Sequence, residues 1–116
     1  MLHVVGIKNC STVQKARKWL EERGIDYSFQ DVKKDPLSDE EVLDLVKKLS
    51  IQTVLNKRGT KWRSLNLNAD ELSDQELFEL LTEHQTMIKR PVLVLDEAVM
   101  VGFDPEAYDA FLETDS

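Results

Sequence analysis

Two rhythms of apolar and polar positions run along the chain, and their order predicts its architecture. Leu2-His3-Val4-Val5-Gly6-Ile7 is short and almost wholly apolar, the pattern of a buried strand. Val13, Ala16 and Leu20 then fall at helical spacing, with Trp19 flanking that face. Gln14, Lys15, Arg17, Lys18, Glu21 and Glu22 supply the wet face. Ser11 and Gln14 match an S-x-x-Q capping box, and Gly24 is a suitable stop, so the spacing predicts a helix from Ser11 to Arg23. From Ile25 to Val32, alternation at Tyr27, Phe29 and Asp31 predicts a second strand. A strand–helix–strand connection implies parallel strands with a right-handed crossover.

The rhythm changes at the breaker Lys33-Lys34-Asp35-Pro36. Ser38 and Glu41 form a capping box ahead of Val42, Leu45, Val46 and Leu49, and Ser73 and Glu76 form another ahead of Leu77, Phe78, Leu80 and Leu81. Between them, Ile51 to Leu55 is short and apolar, and Asn56 to Arg63 reads as a basic loop around Gly59. Residues 36–86 are thus expected to be mostly helical. Strand signals return at Pro91-Val92-Leu93-Val94-Leu95, with Asp96-Glu97 as a two-residue turn into Ala98-Val99-Met100-Val101. Asp104 as N-cap and Pro105 at the first helical position open a last helix to about Leu112, beyond which the tail is expected to fray. The order βαβ, helices, ββα predicts an α/β chain of thioredoxin-like type. The expectation is a single domain, residues 1–116, with a helical subdomain at about 36–86 between its halves.

Composition narrows the setting. One cysteine in 116 residues excludes an internal disulfide framework and cysteine-rich zinc sites. Leu2 to Ile7 is too short for a signal-peptide core, and no stretch approaches the ~18 apolar residues of a membrane span. A reducing, cytoplasmic location away from membranes is expected. The net charge of -7 stands against nucleic acid as a partner, because phosphate neutralisation needs a basic face. His3 and His84 lack metal-ligand spacing, so no metal is expected; His3 reads as a satisfied core or edge histidine.

That one cysteine is Cys10, between the first strand and the first helix. A thiol there meets free backbone N–H groups and the positive end of a helix dipole, which favour thiolate. Such placements bring a free thiol from about 8.5 to roughly 3.5–7.5. Its neighbours Lys8, Asn9, Ser11 and Thr12 are polar: Lys8 adds positive charge, and Ser11 and Thr12 add donors able to hold an oxyanion or a second thiolate. Three residues on stands Val13, so no resolving thiol is present and turnover needs an external one. In a thioredoxin-type fold, Arg90-Pro91 falls where a cis-proline faces the reactive thiol, which would bring the Arg90 guanidinium near Cys10. Arg58 and Arg63, in the basic segment 57–63, are candidates for an anion or partner site, with Trp62 as a stacking surface.

Several segments together resemble the YffB branch of the ArsC/Spx family. They are Gly6-Ile7-Lys8-Asn9-Cys10 with Thr12, Lys15-Ala16-Arg17-Lys18-Trp19-Leu20 and Gly24-Ile25-Asp26-Tyr27. Leu55-Asn56, Arg58-Gly59-Thr60, Trp62-Arg63, Ile88-Lys89-Arg90-Pro91 and Gly102-Phe103 continue the likeness in order. The resemblance implies a thioredoxin-like fold and Cys10 as catalytic thiol. It implies a monothiol oxidoreductase with glutathione as co-substrate and glutaredoxin as a candidate partner. No bound cofactor is expected, and because nothing in the sequence suggests an obligate interface, a monomer is expected. Arsenate reductases of the family hold the oxyanion with three arginines. Arg90 matches one, whereas Asn56 and Phe103 stand at the other two positions and Gly6 replaces a histidine, which weighs against arsenate. The Spx branch implies a third role, a regulator that binds RNA polymerase, often with the C-x-x-C pair this chain lacks.

Overall fold

The computed structural model describes residues 1–113. In chain order its elements are β1 (Leu2–Gly6), α1 (Ser11–Glu22), β2 (Tyr27–Asp31), α2 (Asp39–Leu49), α3 (Ile51–Val54), α4 (Thr60–Leu65), α5 (Asp74–Glu83), β3 (Val92–Leu95), β4 (Ala98–Val101) and α6 (Pro105–Glu113). Short 3-10 turns lie at Ala69–Glu71 and Gln85–Met87. The order is the expected mixed α/β, thioredoxin-like one, with helices inserted between a βαβ half and a ββα half. The chain divides into two compact units, one of residues 1–31 with the chain from Arg90 onward, the other Val32–Lys89.

The first unit is built on a four-stranded sheet in the order β2-β1-β3-β4. β1 runs parallel to β2, antiparallel to β3, and β3 antiparallel to β4. Val4 pairs with Phe29 on one side and Leu93 on the other. One face of the sheet thereby presents Leu2, Val4 and Leu93 to Ala16, Trp19 and Leu20 of α1 and Tyr108 of α6. Burying each large apolar side chain contributes roughly 1.5–3 kcal/mol, and this cluster holds α1 against the sheet. Trp19 lies in that core rather than beside it, edge-on to Tyr108 at 5.5 Å. Burial pushes the Tyr108 hydroxyl well above the usual phenol range, and it donates to the carbonyl of Gly102. The other sheet face carries His3, which is satisfied as expected: Nδ1 meets Ser28 Oγ at 2.6 Å and Nε2 meets Gln30 Oε1 at 2.9 Å. α1 stops as predicted, at Gly24 with φ +66°, a conformation that residues with a Cβ resist.

In the second unit, α2 packs on α3 and α5, burying Val42, Leu45, Ile51, Val54, Leu77 and Leu81. Both predicted capping boxes form: Ser38 and Ser73 each accept from the third helical N–H, and Glu41 and Glu76 return to the cap N–H groups. Gln85 is buried but satisfied, accepting from the N–H of Leu37 at 2.7 Å and donating to its carbonyl at 2.8 Å. The segments before Arg90 and after α3 are tied by Asn56 N–H to Met87 O, 2.7 Å, and Lys89 N–H to Val54 O, 2.8 Å.

Three expectations are corrected. The basic segment is not all loop, because Thr60–Leu65 is helical behind Gly59 as N-cap. Trp62 points inward and is 7% exposed, so it offers no stacking surface. Apolar burial of one indole outweighs the loop-like composition around it. The capping box at Ser11 and Gln14 does not form; the N-cap is Cys10. The helix after Pro105 reaches Glu113, and the expected fraying of the tail falls on residues 114–116, outside the described residues.

Candidate active site

The local chemistry begins where β1 ends. Gly6 is closed to any side chain: a Cβ there would lie 2.8 Å from Val13 Cγ2. This close approach seats the first turn of α1 against the strand end, and it leaves no room for a histidine at that position. Lys8 and Asn9 make an exposed turn, and the N–H of Cys10 returns to the carbonyl of Ile7 at 3.4 Å. Two contacts brace the turn. Gln14 Nε2 donates to the carbonyl of Lys8 at 3.0 Å, and the N–H of Lys8 donates to Asp31 Oδ2 at 3.3 Å. Cys10 is extended, φ -104° and ψ 123°, and its carbonyl accepts the first helical bond from Gln14 N–H at 3.0 Å.

As N-cap, Cys10 stands where serine or aspartate would accept the orphan N–H groups of the first turn. No side chain closes a cap hydrogen bond there. Those N–H groups act on the sulfur when it is charged. Partial burial pushes the thiol up, but the amide of Val13, a hydrogen bond from Arg90, the amide of Thr12 and the charge of Arg90 together outweigh it. The net result holds Cys10 below the ordinary thiol range. The thiol is free and half-buried. A lowered thiol that solvent can still reach has the two attributes of a reactive cysteine.

Arg90 and Pro91 lead into β3 through a cis peptide bond. Pro91 is buried, and its carbonyl accepts from the N–H of Gly102 at 2.8 Å. Arg90, 80 residues from Cys10 in sequence, reaches the Cys10 sulfur with a side-chain hydrogen bond. Of the residues marked in the sequence, Lys8, Asn9, Cys10, Ser11, Thr12, Arg90 and Pro91 all fall in the first unit. Arg58 and Arg63 belong to the second unit, where both are exposed. Phe103 packs edge-on to Tyr108 at 5.2 Å, and Asn56 turns its Oδ1 to the N–H of Arg58 at 3.0 Å. No residue pattern in the sequence marks Gln14, Asp31 or the amide of Val13 as part of the thiol loop. Only the Gly6–Val13 spacing, a glycine closing a strand before a β-branched helix residue, hints at them. Among the described residues no group of three or more His, Cys, Asp or Glu side chains could hold a metal ion. None of the helices described is long and apolar enough to cross a membrane.

A thiol at a helix N-terminus, on a thioredoxin-like sheet and beside an arginine, defines a class of redox-associated proteins. Residues 5–111 match the ArsC family, and the chain belongs to that family. It is similar to a solved YffB protein, 38% identical with TM-score 0.86, over 95% of this chain and 97% of that one. It is also similar to an arsenate reductase (ArsC) related protein from Brucella melitensis, 40% identical with TM-score 0.78, over 96% of this chain and 93% of that one. The global transcriptional regulator Spx of Listeria innocua is 29% identical over 106 residues, 90% of this chain and 81% of that protein.

Proposed function

We propose that the protein is a monothiol reductase that uses Cys10 as nucleophile and glutathione as the source of electrons. The observation that carries this reading is the convergence of the Thr12 and Val13 amides and Arg90 on one accessible sulfur. The Cys10 thiolate attacks a sulfur of an oxidised substrate; the substrate's S–S bond breaks as the Cys10–sulfur bond forms, and the departing thiolate takes a proton from water. With Val13 three residues on, no second thiol of this chain resolves the mixed disulfide. One glutathione thiolate displaces the substrate as a thiol and a second releases Cys10, so two glutathiones supply two electrons and leave as glutathione disulfide. Lys8, Asn9, Ser11 and Thr12 line the approach, and Arg90 and Pro91 offer charge and backbone to the carboxylates and peptide groups of glutathione. In this reading residues 1–116 act as one reductase domain in a reducing compartment, as a monomer, with glutaredoxin as a partner able to take over the second exchange.

The test is the rate of iodoacetamide alkylation against pH, together with glutathione-coupled turnover of a model disulfide. An inflection below that of free cysteine, and turnover lost in Cys10→Ser, are expected. An inflection at or above about 8.5, the ordinary thiol value, overturns the reading. Arsenate reduction is the weaker alternative, since Phe103 is engaged in the core and Gly6 admits no histidine. A second reading, a regulator acting through its surface on RNA polymerase, draws on the likeness to Spx over 90% of this chain. It predicts co-purification with the polymerase that survives Cys10→Ser.

A further inference from the structure

The two long helices of the second unit have the same start and opposite charge design. α2 carries Asp39, Glu40 and Glu41 in its first turn and Lys47 and Lys48 in its last, and Lys48 bridges Asp44 at 3.1 Å. This matches its dipole and is what a solvated helix needs. α5 carries Asp74, Glu76, Glu79 and Glu83 and no basic residue, and it ends on Glu83 where the dipole disfavours an acid. Glu76 and Glu79, then Glu79 and Glu83, are neighbours on one face, and like charges at these spacings repel. Among the described residues no lysine or arginine pairs with Glu76, Glu79 or Glu83. Glu76 accepts from the Ser73 N–H, Glu79 from the Gln75 amide at 3.2 Å, and Glu83 lies 3.9 Å from the His84 ring.

These three glutamates rim a cavity of about 250 Å³ whose floor is Leu67, Leu72 and Leu80, all half-buried. We propose that this groove docks a cationic amphipathic segment of another protein. One apolar side chain inserts among Leu67, Leu72 and Leu80, and lysines or arginines on either side pair with Glu76, Glu79 and Glu83. The distance along α5 from Glu76 to Glu83 is two helical turns, roughly 10 Å, the separation of two basic residues seven apart on a facing helix. Charge complementarity selects this occupant: the rim repels phosphate groups and anionic membranes, and a small polyamine would leave the leucine floor uncovered. The self-repulsion that α5 tolerates when free is relieved in the complex. The inference does not depend on Cys10.

The experiment titrates the full chain with a labelled helical peptide bearing one leucine between two lysines seven apart, read by anisotropy and amide NMR shifts. Binding that moves the amides of Leu67, Leu72 and Leu80 is expected, and it should weaken by about tenfold in the Glu79→Lys, Glu83→Lys double variant. A control pair on α2, Asp39→Lys with Glu40→Lys, should leave the affinity within about twofold. The proposal is overturned if the control pair weakens binding equally, if a glutamate-for-lysine peptide binds as well, if spermidine produces the same shifts, or if the shifts map outside the groove.

Discussion

Three helices of this chain begin with the same sequence signature, a serine followed three residues later by Glu or Gln, and only two use it. At α2 and α5 the serine accepts an orphan N–H and the glutamate returns the bond. At α1 the N-cap moves back one residue to Cys10, Ser11 becomes the first helical residue, and Gln14 reaches to the carbonyl of Lys8 instead. The difference is imposed from outside the motif. Gly6 and Val13 fix how close the first turn sits to the strand, and the Ile7–Cys10 turn then places the sulfur over the free N–H groups. Two helix starts are closed to ligands by their own side chains. The third keeps its donors for a thiolate.

The largest test of this contrast is Cys10→Ser. It should bring alkylation and glutathione-coupled turnover to background, while serine, a far better cap than a protonated thiol, raises stability by about 0.5–1 kcal/mol at low pH. The folded thiol lies below its unfolded value, so the thiolate's contribution is absent below the folded value, grows as pH rises through it, and is complete above the unfolded value. The advantage of Cys10→Ser in urea denaturation should therefore shrink as pH rises. An advantage independent of pH would mean that the amides do not act on the sulfur.

Gly6→Ala comes next. The added Cβ meets Val13, and overpacking of this kind costs about 1–3 kcal/mol in denaturant melts. It should also raise the alkylation inflection of Cys10 by displacing the first turn. A stable variant with an unchanged inflection would separate the close approach from the thiol. Arg90→Met should move the same inflection upward with the fold retained, since both the hydrogen bond and the charge on Cys10 are lost.

The smaller effects compare the caps directly. Ser38→Ala and Ser73→Ala should each cost about 1 kcal/mol, whereas Ser11→Ala, which removes no cap bond, should stay within about 0.5 kcal/mol. Equal losses at all three would break the comparison. Gln14→Ala should cost about 0.5–1 kcal/mol by freeing the Lys8 carbonyl, with faster amide exchange at Lys8 and Asn9 as the local readout.

Much of the fold was legible because it is written in local periodicity. Val13, Ala16 and Leu20 marked the inner face of α1, Gly24 its end, and Pro91–Val101 a hairpin. The basic segment misled because its charges sit on the outside of a short helix whose one indole, Trp62, is buried. Composition over a few residues reports the exposed majority and hides a single anchoring contact. At the site, Cys10 was visible as a lone thiol between strand and helix. Its braces, Gln14 and Asp31, were not, because each acts on a backbone group of Lys8 that no side-chain pattern encodes.

Local sequence alone settled the kind and order of the elements and the presence of one thiol at the end of the first strand, since strand and helix periods and cap residues act over a few neighbours. Which signature became a cap, and which became a cradle for sulfur, was decided only in three dimensions. Competing hydrogen bonds of about 1 kcal/mol each are chosen by how the helix docks. The meeting of Arg90 with Cys10 needs the β1–β3 pairing, which brings distant segments side by side through hydrogen bonds that no local pattern specifies.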